Sequence, residues 1–168
     1  FGFVSVTLVA FLSERGVTLE EVGNLVGFAM LPWTFKFIWG PIIDRFGVPS
    51  LGRRRPWIVL AQGMMALTIL TMVVVEDLTT SLVAVGWMVF VHNIFNSLQD
   101  VAVDALAVDL LDDDERGRAN GFMWASKFVG IFIGGAGMAT VMAAAGLRPA
   151  LLLQVAALLA IMMLPLWL

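Results

Sequence analysis

Residues 82–108 form an apolar run long enough to cross a bilayer, yet its centre, HNIFNSLQDVAVDALAVD (92–109), carries His92, Asn93, Asn96, Ser97, Gln99, Asp100 and Asp104. At about 100° per residue these side chains fall within an arc of roughly 160° on one helix face, and mostly apolar residues cover the rest. A charged side chain at mid-bilayer costs about 2.5–3.5 kcal/mol on insertion scales, so two aspartates on one spanning helix require a polar path or partners. This helix is predicted to line a pathway through the membrane, with the other segments arranged around it.

Composition supports a membrane setting. The chain is 60% hydrophobic and 14% charged, whereas soluble domains are roughly 45–50% apolar and 25% charged. The net charge of −3 is small and the basic residues form no extended stripe, which argues against a nucleic-acid partner. The absence of cysteine excludes disulfides, thiolate metal sites and cysteine nucleophiles. No metal, cofactor or catalytic residue set is predicted, and the chain is not expected to be an enzyme.

Apolar segments alternate with short polar loops. Spans are expected at about 1–12, 20–43, 57–75, 82–108, 118–143 and 150–168, an all-α polytopic bundle of about six spans without a soluble domain. The first and last runs stop short, so the sequence reads as a fragment of a longer chain whose outer spans are truncated. Thr18 followed by Glu21 has the spacing of a capping box opening the second span.

Arginine placement sets the expected orientation. Loops 44–56 and 109–117, with Arg118 just beyond, carry Arg45, Arg53, Arg54, Arg55, Arg116 and Arg118, against Arg15 and Arg148 on the other side. The first set is therefore expected in the cytoplasm. Asp112–Glu115 reads as a solvated loop before the positive end of the fifth helix. Counted from these boundaries at about 1.5 Å per residue, Lys36 lies roughly 12 Å deep, and Asp100 and Lys127 about 13.5 Å deep. Two lysines and an aspartate on three helices thus fall at similar depth, with Asp104 one turn nearer the cytoplasm and Asp109 at the wet end.

Plainer readings stand beside these. Lys36 and Lys127 can snorkel to the interface, and Asp104 can serve structural pairing as well as transport. His92 fits a hydrogen bond to a neighbouring helix better than a proton relay. Asn93, Asn96, Ser97 and Gln99 each suit interhelical bonding singly, but together on one arc they favour a cavity. Gly130 and Gly134 have the spacing for close helix packing, and GIFIGGAG lacks the preceding strand of a nucleotide fingerprint. Two further classes compete with a carrier. An intramembrane aspartyl protease would place its carboxylates on facing helices rather than on one. A passive channel or scaffold is disfavoured only weakly by the opposite charges.

Gly40-Pro41-Ile42-Ile43-Asp44-Arg45 followed by Gly52-Arg53-Arg54-Arg55 resembles the loop between the second and third helices of the major facilitator superfamily. The superfamily pattern is Gly-x-x-x-Asp-Arg-x-Gly-Arg-Arg; here five additional residues separate Arg45 from Gly52. This lengthened loop, with LPWTFKFIWGPIIDR (31–45), GRRRPWIVLAQ (52–62) and QDVAVDALAVDLL…ERGRANG (99–121), is similar to AmpG-type muropeptide permeases. Acetyl-coenzyme A transporters and glycoside–cation symporters are neighbouring branches. The resemblance implies a twelve-helix inner-membrane transporter of which this chain is most of the N-terminal half, its partners being the lipid bilayer and the missing C-terminal half. It implies alternating access for a polar, muropeptide- or amino-sugar-like solute. The residues themselves suggest proton-coupled import, with Lys36, His92, Asn93, Asn96, Gln99, Asp100, Asp104 and Lys127 along the solute and proton pathway. The resemblance also implies a cytoplasmic latch from Gly40, Asp44, Arg45, Gly52, Arg53, Arg54 and Arg55 toward Asp112, Glu115 and Arg116.

Overall fold

The computed structural model describes residues 2–48, 51–75, 78–79 and 81–167. Among them six helical segments follow one another: α1 (Phe3–Glu14), α2 (Leu19–Arg45), α3 (Arg55–Val74), α4 (Leu82–Leu110), α5 (Asp113–Ala145) and α6 (Leu147–Trp167). Segments α2 to α6 are long and apolar enough to cross a membrane, and α1 is shorter. The described residues contain no β-strand, only an isolated antiparallel bridge between Val48 and Gly52. Phe1, Glu76, Asp77 and Leu168, at the edges of the sequence-derived spans, lie outside the described residues.

Local chemistry sets the helix ends. The Thr18 hydroxyl accepts from the Glu21 N–H at 3.3 Å, and the Glu21 carboxylate accepts from the Thr18 N–H at 3.0 Å, closing the capping box. Pro56 sits in the first turn of α3, where its missing N–H costs no bond. At the other end of α5, Gly146 turns the chain at φ +89°, a conformation that favours glycine.

Two boundaries differ from the sequence reading. The segment expected as one helix over 20–43 is interrupted: the α-helix ends at Thr34, a 3₁₀ turn spans Lys36–Ile38, and helix resumes over Trp39–Arg45. Pro32 and Pro41 each remove an N–H and crowd the carbonyl four residues back, which loosens the backbone between them. The loop expected over 109–117 is mostly helix. Helix α5 starts at Asp113 and takes Asp113, Asp114 and Glu115 into its first turn, where the helix dipole favours negative charge.

Helix α4 packs against α2 on one side and α3 on the other, and α3 in turn packs against α6. Two apolar clusters form along this stack. One gathers Leu25, Ala29, Ile69, Met72, Val85 and Val89 with α1 and the start of α6. The other gathers Ile43, Ile58, Ala61, Leu98 and Ala102. Along α4 the clusters are separated by buried His92, Asn93 and Ser97, and along α3 by buried Gln62.

Helix α1 packs on α5 through two π-helical turns, Phe3–Thr7 and Ile133–Gly137. The Thr7 hydroxyl lies 2.8 Å from the Gly135 carbonyl oxygen and 3.2 Å from that of Gly134. A Cβ at Gly2 would run into the Ile131 carbonyl oxygen, and one at Gly135 would lie 3.1 Å from Val6 Cβ. A Cβ at Gly134 would lie 3.5 Å from Phe3 N, whereas one at Gly130 meets nothing within 4 Å. The close-packing glycines are thus Gly134 and Gly135 rather than Gly130 and Gly134, because the π turn adds a residue and rotates the small-residue face. Gly2→Ala and Gly135→Ala should each lower stability by about 1–3 kcal/mol through overpacking, while Gly130→Ala should be neutral or stabilise by up to ~1 kcal/mol. Thermal melts in detergent check this; equal losses at all three positions would contradict it.

Candidate functional site

Asp100, two-thirds of the way along α4, joins three helices. Lys36 Nζ donates to its Oδ2 at 3.2 Å and Lys127 Nζ to its Oδ1 at 2.8 Å. Lys36 reaches it from the loosened 3₁₀ turn of α2, and Lys127 from the middle of α5. The Asp100 side chain is 19% exposed, so the carboxylate is sheltered without being sealed. The Trp33 ring lies beside both cations, 5.9 Å from Lys36 Nζ and 5.3 Å from Lys127 Nζ, and the Trp124 ring is 5.0 Å from Lys127 Nζ. Such ring faces attract cations that are partly withdrawn from water. Neither tryptophan is conspicuous in the sequence; their position one turn from a lysine, Trp33 before Lys36 and Trp124 before Lys127, is the available signal.

Asp104 lies one turn further along α4, about 6 Å by helix rise. It has no ion pair among the described residues. It borders a cavity of about 370 Å³ walled by Leu111, Arg116, Asn120 and Met123. Two ammonium groups against one carboxylate leave one positive charge in excess at this level, with Asp104 a turn away.

The rest of the polar arc divides by burial. Thr68 Oγ1 donates to Met65 O at 2.8 Å, so it accepts from His92 Nδ1 at 3.0 Å, which joins α3 to α4. Asn93 donates to Ala29 O at 2.7 Å and ties α4 to α2. Trp39 Nε1 donates to Ser97 Oγ at 3.0 Å, again between α2 and α4. These three residues make interhelical bonds. Asn96 and Gln99 sit nearer the surface, and Asn96 Nδ2 and Gln99 Oε1 have no hydrogen-bond partner among the described residues. The same is true of Oε1 on Gln62, a buried polar residue outside the arc.

At the arginine-rich end, one side chain organises the turn. Arg54 is paired with Asp44, and its Nε donates to Asp109 Oδ2 at 2.8 Å with Nη2 3.5 Å from Oδ1. Arg53 adds a looser contact to Asp109 at 4.0 Å. Hydrogen bonds donated to Asp109, with Asp44 adding to them, raise the Arg54 pKa and hold the guanidinium charged. Asp109 is more than a wet helix end. Both Asp44 and Asp109 lie in the last turn of a helix, where the dipole disfavours an anion unless a cation meets it. Sequence could have flagged Asp109 on that ground.

Other latch residues lie apart. The loop folds back through Val48 N–H to Gly52 O at 3.0 Å, with Gly52 at φ +77°, and Trp57 Nε1 donates to Phe46 O at 2.9 Å. Arg45 is exposed beside the Phe46 ring, and a Cβ at Gly40 would meet nothing within 4 Å. Asp112 and Glu115 make no ion pair among the described residues, so the expected arginine partners are Asp44 and Asp109 instead. Arg116 pairs with Asp113 and donates to Val108 O at 3.0 Å and Leu111 O at 3.2 Å. It therefore caps the carbonyl end of α4 within its own corner.

A bundle of membrane-length helices, with an ion-paired cluster joining three of them and an arginine turn at one end, defines a polytopic membrane protein. The family model for the Major Facilitator Superfamily matches residues 1–168, and the chain belongs to that family. It is 31% identical to the anhydromuropeptide permease of Escherichia coli K12, over 77% of this chain and 26% of that protein. It is 30% identical to a Rickettsia conorii protein named "Putative transporter AmpG 4", over 78% of this chain and 32% of that one. A Haemophilus influenzae protein without an assigned function is 33% identical over 70% of this chain and 27% of its own. The chain thus spans about a quarter to a third of the length of these relatives. No solved structure matches it.

Arg54→Ala should cost about 1–3 kcal/mol, the range for charged hydrogen bonds with partly exposed partners. Arg45→Ala should stay within about 0.5 kcal/mol. Thermal unfolding in detergent separates the two, and equal effects would contradict the assignment of Arg54 as the organising side chain.

Proposed function

We propose that this chain forms part of an alternating-access carrier that imports a polar, anionic solute together with protons, a muropeptide or amino-sugar derivative being the class its similarity to permeases favours. The observation that carries the reading is Asp100 held by Lys36 and Lys127. Both oxygens of Asp100 accept from ammonium groups, so a proton can occupy the carboxylate only when a lysine turns away. An anionic solute offers the lysines another partner. Solute binding and protonation of Asp100 then favour each other, since each relieves the charge left by the other. Asn96 and Gln99 supply hydrogen bonds to the solute, and the Trp33 and Trp124 faces supply flat surfaces for a sugar ring. Asp104, beside its cavity, is the next carboxylate on the route to the arginine-rich side.

Alternation requires a second body to move against, which the proposal assigns to further helices of the whole transporter. The Asp44–Arg54–Asp109 corner is the element that meets this second body at the cytoplasmic face. The excess of arginine there supports that orientation in a bacterial inner membrane. A protease reading finds no support, because Asp104 lies along the same helix as Asp100 and Asp100 is occupied by lysines.

The test uses the whole transporter in vesicles. Asp100→Asn should abolish pH-gradient-driven accumulation, by at least about tenfold for a lost charged partner, while labelled solute still exchanges at equilibrium. Accumulation unchanged by Asp100→Asn would refute its coupling role. Lys36→Ala with Lys127→Ala should remove exchange as well; retained exchange would take the lysines out of solute binding.

A further inference from the structure

The end of the bundle opposite the Arg53–Arg55 run holds a cavity that the transport reading does not use. It measures about 330 Å³ and lies where the last turn of α1, the end of α3 and the turn between α5 and α6 meet. Its floor is apolar, with Phe11, Met72 and Leu78 all buried. Its rim carries two exposed guanidinium groups, Arg15 just after α1 and Arg148 in the first turn of α6. The Arg15 guanidinium sits 4.7 Å from the Phe11 ring centroid, which keeps it over the cavity. Neither arginine takes part in an ion pair among the described residues. Gly146 at φ +89° and Pro149, with its restricted φ, shape the remaining wall.

Two planar cations above an apolar floor, at the level where helices leave the hydrocarbon, suit a ligand that is anionic at one end and greasy at the other. Guanidinium groups match phosphate oxygens with paired N–H donors. The apolar floor disfavours a ligand that is charged throughout. We propose that this cavity binds the phosphodiester head of an anionic membrane lipid, with the phosphate between Arg15 and Arg148 and the upper acyl chain against Phe11, Met72 and Leu78. A lipid held there bridges α1 and α6 at the face opposite the arginine corner.

Lipid retention on the whole protein tests this, read by native mass spectrometry after release from nanodiscs of phosphatidylcholine and phosphatidylglycerol. Phosphatidylglycerol should be retained in preference. Arg15→Gln and Arg148→Gln should each reduce that preference roughly fivefold, the factor carried by one basic residue at an anionic bilayer surface. The double variant should show none, and Arg15→Lys with Arg148→Lys should keep most of it. Glycerol 3-phosphate at millimolar concentration, which offers the phosphate without the chain, should not displace the lipid; displacement would make the occupant a soluble anion and overturn the lipid assignment. An unchanged preference in the double glutamine variant would overturn the proposal. So would variants that melt early yet keep the preference, which would give the guanidinium groups a purely structural role.

Discussion

A carboxylate inside a bilayer has to be met by positive charge, and in this chain that requirement falls on Asp100. An aspartate at mid-membrane costs about 2.5–3.5 kcal/mol on insertion scales, and so does each unpaired lysine. Bringing Lys36 and Lys127 to 3.2 and 2.8 Å of it offsets part of all three costs at once. The same contacts determine how α2, α4 and α5 are placed around the site. The interruption of α2 between Thr34 and Trp39 belongs to this arrangement, because it is the turn from which Lys36 reaches across. Helix α5 has no buried residue over Asp113–Phe132, so the Lys127 contact is among the few that hold its first half to the bundle.

A second constraint acts at the end of the bundle. Asp44 and Asp109 both close helices, a position where the backbone dipole opposes a negative charge. Arg54 answers both, and its side chain is only 11% exposed. That corner fixes α2, α3 and α4 relative to one another on one face, while His92, Asn93 and Ser97 do so by neutral hydrogen bonds further up. Between these two levels lie the lysine-bound Asp100 and, a turn further on, Asp104, which has no ion pair among the described residues. Rigid contacts above and below a partly open, ion-paired layer give a scaffold on which one layer can change partners while the packing is kept.

Much of the fold was legible from apolar run length, and the depth arithmetic from arginine boundaries brought Lys36, Asp100 and Lys127 to one level. Thr18 and Glu21 announced a helix start through local spacing alone. What escaped was set by interactions distant in sequence or by backbone detail. Sequence alone presents Asp109 as a solvated end because its partner, Arg54, lies on another helix; its unfavourable dipole position is the available clue. Ideal helical spacing pairs Gly130 with Gly134, a register that the π turn at Ile133–Gly137 breaks. The split of the arc into bonded and open residues depended on Thr68, Ala29 and Trp39, whose alignment with α4 no one-dimensional pattern displays.

The proposed pathway requires Asp100 to be reached by water or counter-ions rather than by acyl chains. The sequence has no cysteine, so single introduced thiols report cleanly. Asp100→Cys and Phe128→Cys, an exposed position on α5, can be compared for modification by a membrane-impermeant charged thiol reagent in vesicles. Modification should be rapid at position 100 and blocked by solute, with little at position 128. Inertness at position 100 equal to that at 128 would contradict the pathway.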